Sequence, residues 1–198
     1  MPAQACENLG TRERMFVLAT CVLLVTMTSS YANMVTFFPL YATALGIPPY
    51  AISLIFTAFS IGNLLCSLVA GRLASRYGRR PILRWGTLLV SMTSLFIGYT
   101  PELAGDDGTL MAVLFTAARF LLGGGVALAR LAIFAVLGDA FPTSRGFVLG
   151  SATSMIALGY MLGPAVGGAL FAAAGFRLPF LLLSLLVLAS AMPVLSLW

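Results

Sequence analysis

Long apolar runs alternate with short polar segments along the whole chain, and six of the runs are long enough to cross a lipid bilayer. They cover approximately residues 15–45, 51–70, 82–100, 110–137, 147–174 and 178–198. Because an α-helix rises about 1.5 Å per residue, roughly 20 residues span a hydrocarbon core of about 30 Å. The pattern therefore predicts an all-α membrane protein with six transmembrane helices, preceded by a polar tail over residues 1–14.

The composition supports this interpretation and excludes several others. Hydrophobic residues fill 60% of the 198 positions and charged residues only 9%, against about a quarter in soluble domains. A secretory signal peptide is the alternative for the first run, but the apolar stretch continues past Asn33 and favours an uncleaved helix. The net charge of +5 forms no stripe suited to nucleic acid. The chain contains no His and no Lys, and the spacing of Cys6, Cys21 and Cys66 matches no metal-binding or disulfide motif. We therefore expect no metal site, no cofactor and no enzyme active site.

The arginines are distributed unevenly among the polar segments. If the N-terminus lies inside, the inner segments hold Arg12, Arg14, Arg72, Arg76, Arg79, Arg80, Arg84 and Arg145. The outer segments hold only Arg177. Because arginine accumulates on the cytoplasmic side of membrane proteins, this bias predicts both termini in the cytoplasm and an even number of spans.

A basic segment, GRLASRYGRR, joins the second span to the third at residues 71–80. We expect a loop over residues 71–84, in which Gly71 and Gly78 permit a tight turn and the arginines anchor the loop to the cytoplasmic face. The candidate gating residues are Gly71, Arg72, Ser75, Arg76, Gly78, Arg79 and Arg80.

This segment resembles the signature loop of the major facilitator superfamily, G-x-L-A-D-R-x-G-R-R, between the second and third helices. The resemblance implies a latch on the outward-open state, formed by a charge network with the other half of the transporter. Ser75 stands where the family usually has Asp. A hydroxyl accepts a hydrogen bond but carries no charge, so the latch is expected to be weaker or built differently.

The fifth span contains the pattern G-x8-G-x3-G-P-x2-G-G, formed by Gly150, Gly159, Gly163, Pro164, Gly167 and Gly168. The three glycines four residues apart fall near one helix face, where another helix can approach closely. Pro164 is expected to kink the helix. The pattern is similar to the antiporter signature of the family's drug and proton exchangers, which implies export and a helix suited to rocking. Ordinary small-residue packing is the alternative.

The fourth span contains two arginines, Arg119 and Arg130, eleven residues apart and therefore near one helix face. Arginine within a bilayer needs water or a partner, so we expect a water-filled cavity at Arg119, whereas Arg130 is near enough to the helix end to snorkel. The sequence RFLLGGG at 119–125 resembles the family's fourth-helix motif, which implies a role for Arg119 in proton coupling. Two arginines on one face also suit an anion.

Polar residues in the first span and in the segment after the fourth complete the candidate site. Tyr31 and Asn33 are candidate cavity residues, with interhelical hydrogen bonding as the alternative. Asn33 falls near the place of an acid in many exporters, so recognition of a cation is not supported. Asp139 and Arg145 resemble the family's fourth-to-fifth loop, and Asp139 is expected to pair with a loop arginine. No span contains a carboxylate at its middle, so a coupled proton needs a carrier elsewhere.

The resemblance covers residues 15–198 and implies the N-terminal half of a major facilitator bundle. The implied function is export of a small, drug-like molecule by alternating access. The expected partners are the lipid bilayer, a small-molecule substrate, a proton as candidate coupling ion, and a second six-helix half in cis or in trans. The alternatives are a sugar or organic-anion carrier and a non-transporting half-unit or truncated product that pairs with another membrane chain.

Overall fold

The computed structural model describes residues 11–105, 107–142 and 144–197. The first ten residues, including Cys6, and Asp106, Thr143 and Trp198 lie outside the described residues. The helices are α1 (Thr11–Ala32), α2 (Met34–Ala44), α3 (Pro49–Tyr77), α4 (Arg79–Ala104), α5 (Gly108–Ala140), α6 (Arg145–Ala174) and α7 (Arg177–Leu197). Six helical spans in this part of the chain are long and apolar enough to cross a membrane, with α1 and α2 together forming the first. The prediction of an all-α, six-span membrane protein is confirmed.

The fourth span makes its main contacts with the second and third spans. The second and third spans lie along it on different sides, the sixth packs against the third and the first, and the fifth packs mainly against the first. The share of buried residues in the most apolar 18-residue window differs among the spans. It is 61% for the fourth span, 28% for the second and 17% for the fifth. The second and fifth spans therefore have the largest faces left uncovered by the rest of the chain.

The first span is interrupted at Asn33, between α1 and α2. The interruption lies less than two turns before Pro39, which has no backbone N–H and crowds the preceding turn. Near this point the first span contacts the fourth span through Tyr31 and the fifth through Asn33. The break thus lies where the candidate polar residues of the first span meet their neighbours.

The prediction of a loop over residues 71–84 is wrong. The second span stays helical to Tyr77 and the third begins at Arg79, so Gly78 alone separates them, with φ at +85°. Gly71 lies inside the helix with open space around it and makes no turn. Arginine, alanine and leucine are good helix formers, so one glycine in a left-handed conformation suffices to reverse the chain.

Candidate functional site

Arg119 lies at the centre of an aromatic cage. The side chain is completely buried, and its guanidinium carbon is 5.2 Å from the ring centre of Tyr31, 4.9 Å from that of Phe56 and 5.9 Å from that of Phe59. Nη1 donates a hydrogen bond to the Tyr31 carbonyl at 3.2 Å. Ring faces attract a guanidinium, and the attraction grows when water is excluded.

This cage corrects the expectation of a water-filled cavity at Arg119. The sequence showed a charge in a membrane span, and water was the simplest way to stabilise it. The structure instead places the rings of the first and second spans around the charge. Nε and Nη2 of Arg119 have no hydrogen-bond partner among the described residues. The guanidinium is therefore shielded by rings, but two of its nitrogens remain able to donate hydrogen bonds to another group.

Tyr31 forms the wall between this charge and the outer face of the fifth span. Its ring stacks on Phe59 with centroids 3.9 Å apart and meets the edge of Tyr160 at 5.9 Å. Tyr31 is half-buried, whereas Tyr160 is 42% exposed. The Tyr31 ring therefore lies next to both the Arg119 guanidinium and the exposed Tyr160 ring.

Asn33 is fully buried between helices. A Cβ added to Gly167 would lie 2.6 Å from the Asn33 Cβ, so the fifth span closes over this residue. Neither its amide nitrogen nor its amide oxygen has a hydrogen-bond partner among the described residues. A buried amide without partners is costly, because its desolvation is not offset.

The glycine face of the fifth span packs directly against the first span. A Cβ added to Gly159 would lie 2.7 Å from the Thr28 Cβ, and one added to Gly163 would lie 2.8 Å from the Ala32 Cβ. Both distances are shorter than side chains tolerate, as is the distance at Gly167. The three glycines spaced by four residues thus let the two helix backbones approach closely.

The rest of the fifth-span pattern makes looser contacts. Gly150 has open space around it, and Gly168 comes only within 3.7 Å of the Thr36 hydroxyl. The helix continues through Pro164, whose carbonyl accepts a hydrogen bond from Thr36 Oγ1 at 3.3 Å. The structure therefore brings three of the six predicted positions into the tight contact and leaves Gly150 outside it.

An ionic cluster joins the start of the third span, the end of the fourth and the start of the fifth. Arg79 forms an ion pair with Asp139 and also donates to the Ala135 carbonyl at 3.0 Å. Arg145 lies 3.6 Å from the other oxygen of Asp139 and donates to the Gly138 carbonyl at 2.8 Å. Asp139 thus sits between one arginine from each neighbouring span.

The remaining predicted gating residues lie on the exposed last turns of the second span and the start of the third. Ser75 donates to the carbonyl of Arg72 at 2.9 Å, a contact within its own helix. Arg76 lies 5.5 Å from the ring centre of Tyr77. Arg72 and Arg80 are exposed, as is Gly78 at the turn.

Arg130 lies on the same side of the fourth span as Arg119 but in an open setting. It is half-buried and lines a groove of about 520 Å³ with Asn63 and Ser67 of the second span. Its guanidinium has no described partner. The two arginines therefore both face the second span, one enclosed by rings and the other accessible.

Sequence reasoning named Tyr31 as a cavity residue but missed Phe56 and Phe59, the other two rings around Arg119. Phe56 and Phe59 are three residues apart in the second span, a spacing that places them on neighbouring positions of one helix face. In an apolar span, two phenylalanines at this spacing occur equally on faces that contact lipid and on faces that pack in the core, so the spacing does not reveal a site. A second cluster, which was also not anticipated, joins the end of the third span to the start of the sixth through Arg177, Glu102 and the ring of Tyr99.

Comparison with known proteins gives several matches over most of the chain. The human MFS-type transporter SLC18B1 is 32% identical over 180 residues, which is 90% of this chain and 39% of that protein. Multidrug resistance protein 2 of Bacillus subtilis is 30% identical over 135 residues, 68% of this chain and 31% of that protein. The chain thus spans about two fifths or less of the length of these relatives.

The fold also matches a solved structure. A crystal structure of a D-xylose-proton symporter superposes with a TM-score of 0.68 at 17% sequence identity, covering 93% of this chain and 46% of the symporter. The family model of the Major Facilitator Superfamily matches residues 18–198. With this match added to the six-span fold, the chain belongs to the Major Facilitator Superfamily, a family of membrane transporters.

Proposed function

We propose that this chain is the N-terminal half of an export-type secondary transporter, which moves a small molecule by alternating access together with a second six-helix half. Arg119 carries the proposal. It is a permanent charge, fully buried in a membrane span, with two donor nitrogens, Nε and Nη2, that no described residue accepts from. Buried charges within membrane spans mark substrate or ion pathways.

Arg119 would act in coupling by stabilising a negative charge rather than by releasing its own proton. Arginine stays protonated in proteins, so a guanidinium cannot carry the transported proton. A carboxylate that approached Nε and Nη2 would be held in its charged form and would release its proton more readily. Since no carboxylate lies at the middle of any span of this chain, that group would come from the second half or from the substrate.

The contact between the first and fifth spans supports movement of the half as one body. Gly159, Gly163 and Gly167 fix the fifth span against the first at distances that leave no room for side chains. Rocking would then take place between halves and not within this contact. Export is supported by the fifth-span pattern and by relatives that are named as multidrug resistance proteins.

The arginine distribution supports a cytoplasmic location for both termini. The cluster of Arg79, Asp139 and Arg145 then lies at the cytoplasmic face, where it ties three spans together. In this orientation the exposed Ser75 also faces the cytoplasm, on the surface proposed to form the latch with the second half. Its hydroxyl bonds within its own helix, so we expect the latch to depend on the neighbouring arginines.

Solute counterflow in reconstituted vesicles tests the proposal. Vesicles that contain this chain together with a second six-helix half should exchange at least one member of a panel of drug-like solutes. Gly163→Leu should abolish exchange and Gly150→Leu should not, because only the first position lies in the tight contact. Equal exchange by both variants would contradict the proposed rigid body.

A non-transporting half-unit, which would pair with another membrane chain, is the second candidate. One half supplies one wall of a site that lies between two halves in this family. Vesicles with this chain alone separate the two candidates. Flux by the chain alone would exclude the half-unit, whereas binding to another membrane chain without any flux would favour it.

A further inference from the structure

We propose that the groove beside Arg130 is a binding site for an organic anion, a carboxylate with an apolar body. This inference deepens the proposed function and rests on it in one respect, that the groove belongs to the transport path. Binding itself is a property of the described residues. The two ideas can therefore fail separately.

The groove combines one charge with two neutral polar groups. It holds about 520 Å³ and is lined by Asn63, Ser67, Ala127, Arg130, Leu131, Phe134 and Ala135. Arg130 supplies up to five N–H donors in a planar fork that fits a carboxylate. Ala127, Leu131 and Phe134 supply apolar surface for the rest of the molecule. This mixture of an apolar lining with a few polar groups is typical of small-molecule sites.

Among the described arginines of the fourth and fifth spans, Arg130 is the one that lacks a described partner. The other arginines whose surroundings are described in the fourth and fifth spans have one: Arg119 bonds a carbonyl and faces three rings, and Arg145 bonds a carbonyl and an acid. Arg130 lies ten residues before the end of its helix, a distance of about 15 Å along the axis. A charge at that depth is unfavourable against lipid tails and favourable in a watered groove that an anion can enter.

The position of the groove connects it to Arg119. Phe56, which touches the Arg119 cage, and Asn63, which lines the groove, are seven residues apart, close to two helical turns. Asn63 and Ser67 follow one turn apart. The groove thus continues along the same face of the second span that borders Arg119, toward the inner end of the bundle.

A second concavity gives an internal comparison. About 980 Å³ lie between the outer ends of the second and fourth spans, lined by residues that include Leu54, Ile61, Val113 and Phe120. No charged side chain lines it among the described residues. This second concavity can bind the apolar part of a molecule but cannot distinguish an anion from a cation or a neutral molecule. A preference for anions therefore requires Arg130.

The test uses three probes of one shape, 2-naphthoate, 2-naphthamide and 2-naphthylmethylammonium, added to the purified chain in nonionic detergent, which removes lipid phosphates as competitors. We expect the anion to bind at least about tenfold more tightly than the amide, since a charge-assisted bond contributes roughly that much. Arg130→Gln should abolish the preference, and Arg130→Lys should retain part of it because the charge remains. Arg84→Gln, the loss of an exposed arginine outside the groove, should leave it unchanged.

Equal affinity for the three probes, or an anion preference that survives Arg130→Gln, would overturn the proposal. Because the measurement is binding, its failure leaves the transport proposal intact. Conversely, anion binding that depends on Arg130 in a chain that never transports would uphold the site and overturn the proposed function. Circular dichroism of each variant verifies that the helices are retained.

Discussion

The contact between Gly163 and the first span gives the most quantitative prediction. A Cβ at this position would lie 2.8 Å from the Ala32 Cβ and 3.0 Å from both the Cα and the carbonyl oxygen of Ser29. Ordinary contacts between such atoms lie at about 3.5–4.0 Å, so even alanine requires the helices to separate by roughly 0.5–1 Å. Two of the three neighbouring atoms are backbone atoms, which cannot rotate away as a flexible side chain would.

We expect Gly163→Ala to lower the free energy of unfolding by about 1 kcal/mol and Gly163→Leu by about 3 kcal/mol, the range found for overpacked cores. Gly150 is the matched control in the same helix, since nothing lies within 4 Å of its added Cβ. There alanine restricts the unfolded chain and should raise stability by about 0.5–1 kcal/mol. The two alanine variants should therefore change stability in opposite directions.

Unfolding in mixed micelles of dodecyl sulfate and a nonionic detergent, followed by circular dichroism, measures both changes on one scale. The reasoning would be refuted if Gly163→Ala matched Gly150→Ala within experimental error. Such a result would mean that the first and fifth spans can separate without cost. The proposed rigid body would then lose its physical basis.

Three further substitutions separate stability from function. Asn33→Leu should keep or raise the free energy of unfolding, because the amide it removes is buried without partners; a loss of more than about 1 kcal/mol in the micelle titration would reveal a bonding partner. Arg119→Met should likewise unfold no more easily than the parent, because an apolar side chain of similar length often replaces a buried charge without loss; its solute exchange should nevertheless be abolished in the counterflow assay. Asp139→Asn should lower stability by only about 0–1 kcal/mol, since the pairs with Arg79 and Arg145 are partly exposed; the difference from the parent should shrink as salt is added, and a salt-independent difference would argue against an ionic origin.

The spans and the glycine face could be predicted from the sequence because both depend on local periodicity. Twenty consecutive apolar residues leave few alternatives to a membrane helix. Glycines spaced by four residues lie on one face of a helix, whichever helix packs against that face. The sequence could not identify that partner, since many apolar faces in the bundle would accept a smooth helix, and the structure shows it to be the first span.

The environment of Arg119 could not be predicted, because it is built from long-range contacts. Its cage combines Tyr31 of the first span, a predicted cavity residue, with Phe56 and Phe59 of the second, which carry no signal of their own. Water was the reasonable expectation for an isolated charge in a span. The helical form of residues 71–77 was missed for a related reason, since polar composition indicates exposure at the membrane surface and does not distinguish a helix end from a loop.

The most direct test of the central claim is proton movement coupled to solute flux in sealed vesicles. The vesicles should contain this chain with a second six-helix half and a pH-sensitive dye inside, and the solute should be one that passes the counterflow assay. If Arg119 couples the two, the parent protein should move protons when solute is added, and Arg119→Gln should bind solute without moving protons. Equal proton movement by Arg119→Gln and the parent would contradict the account.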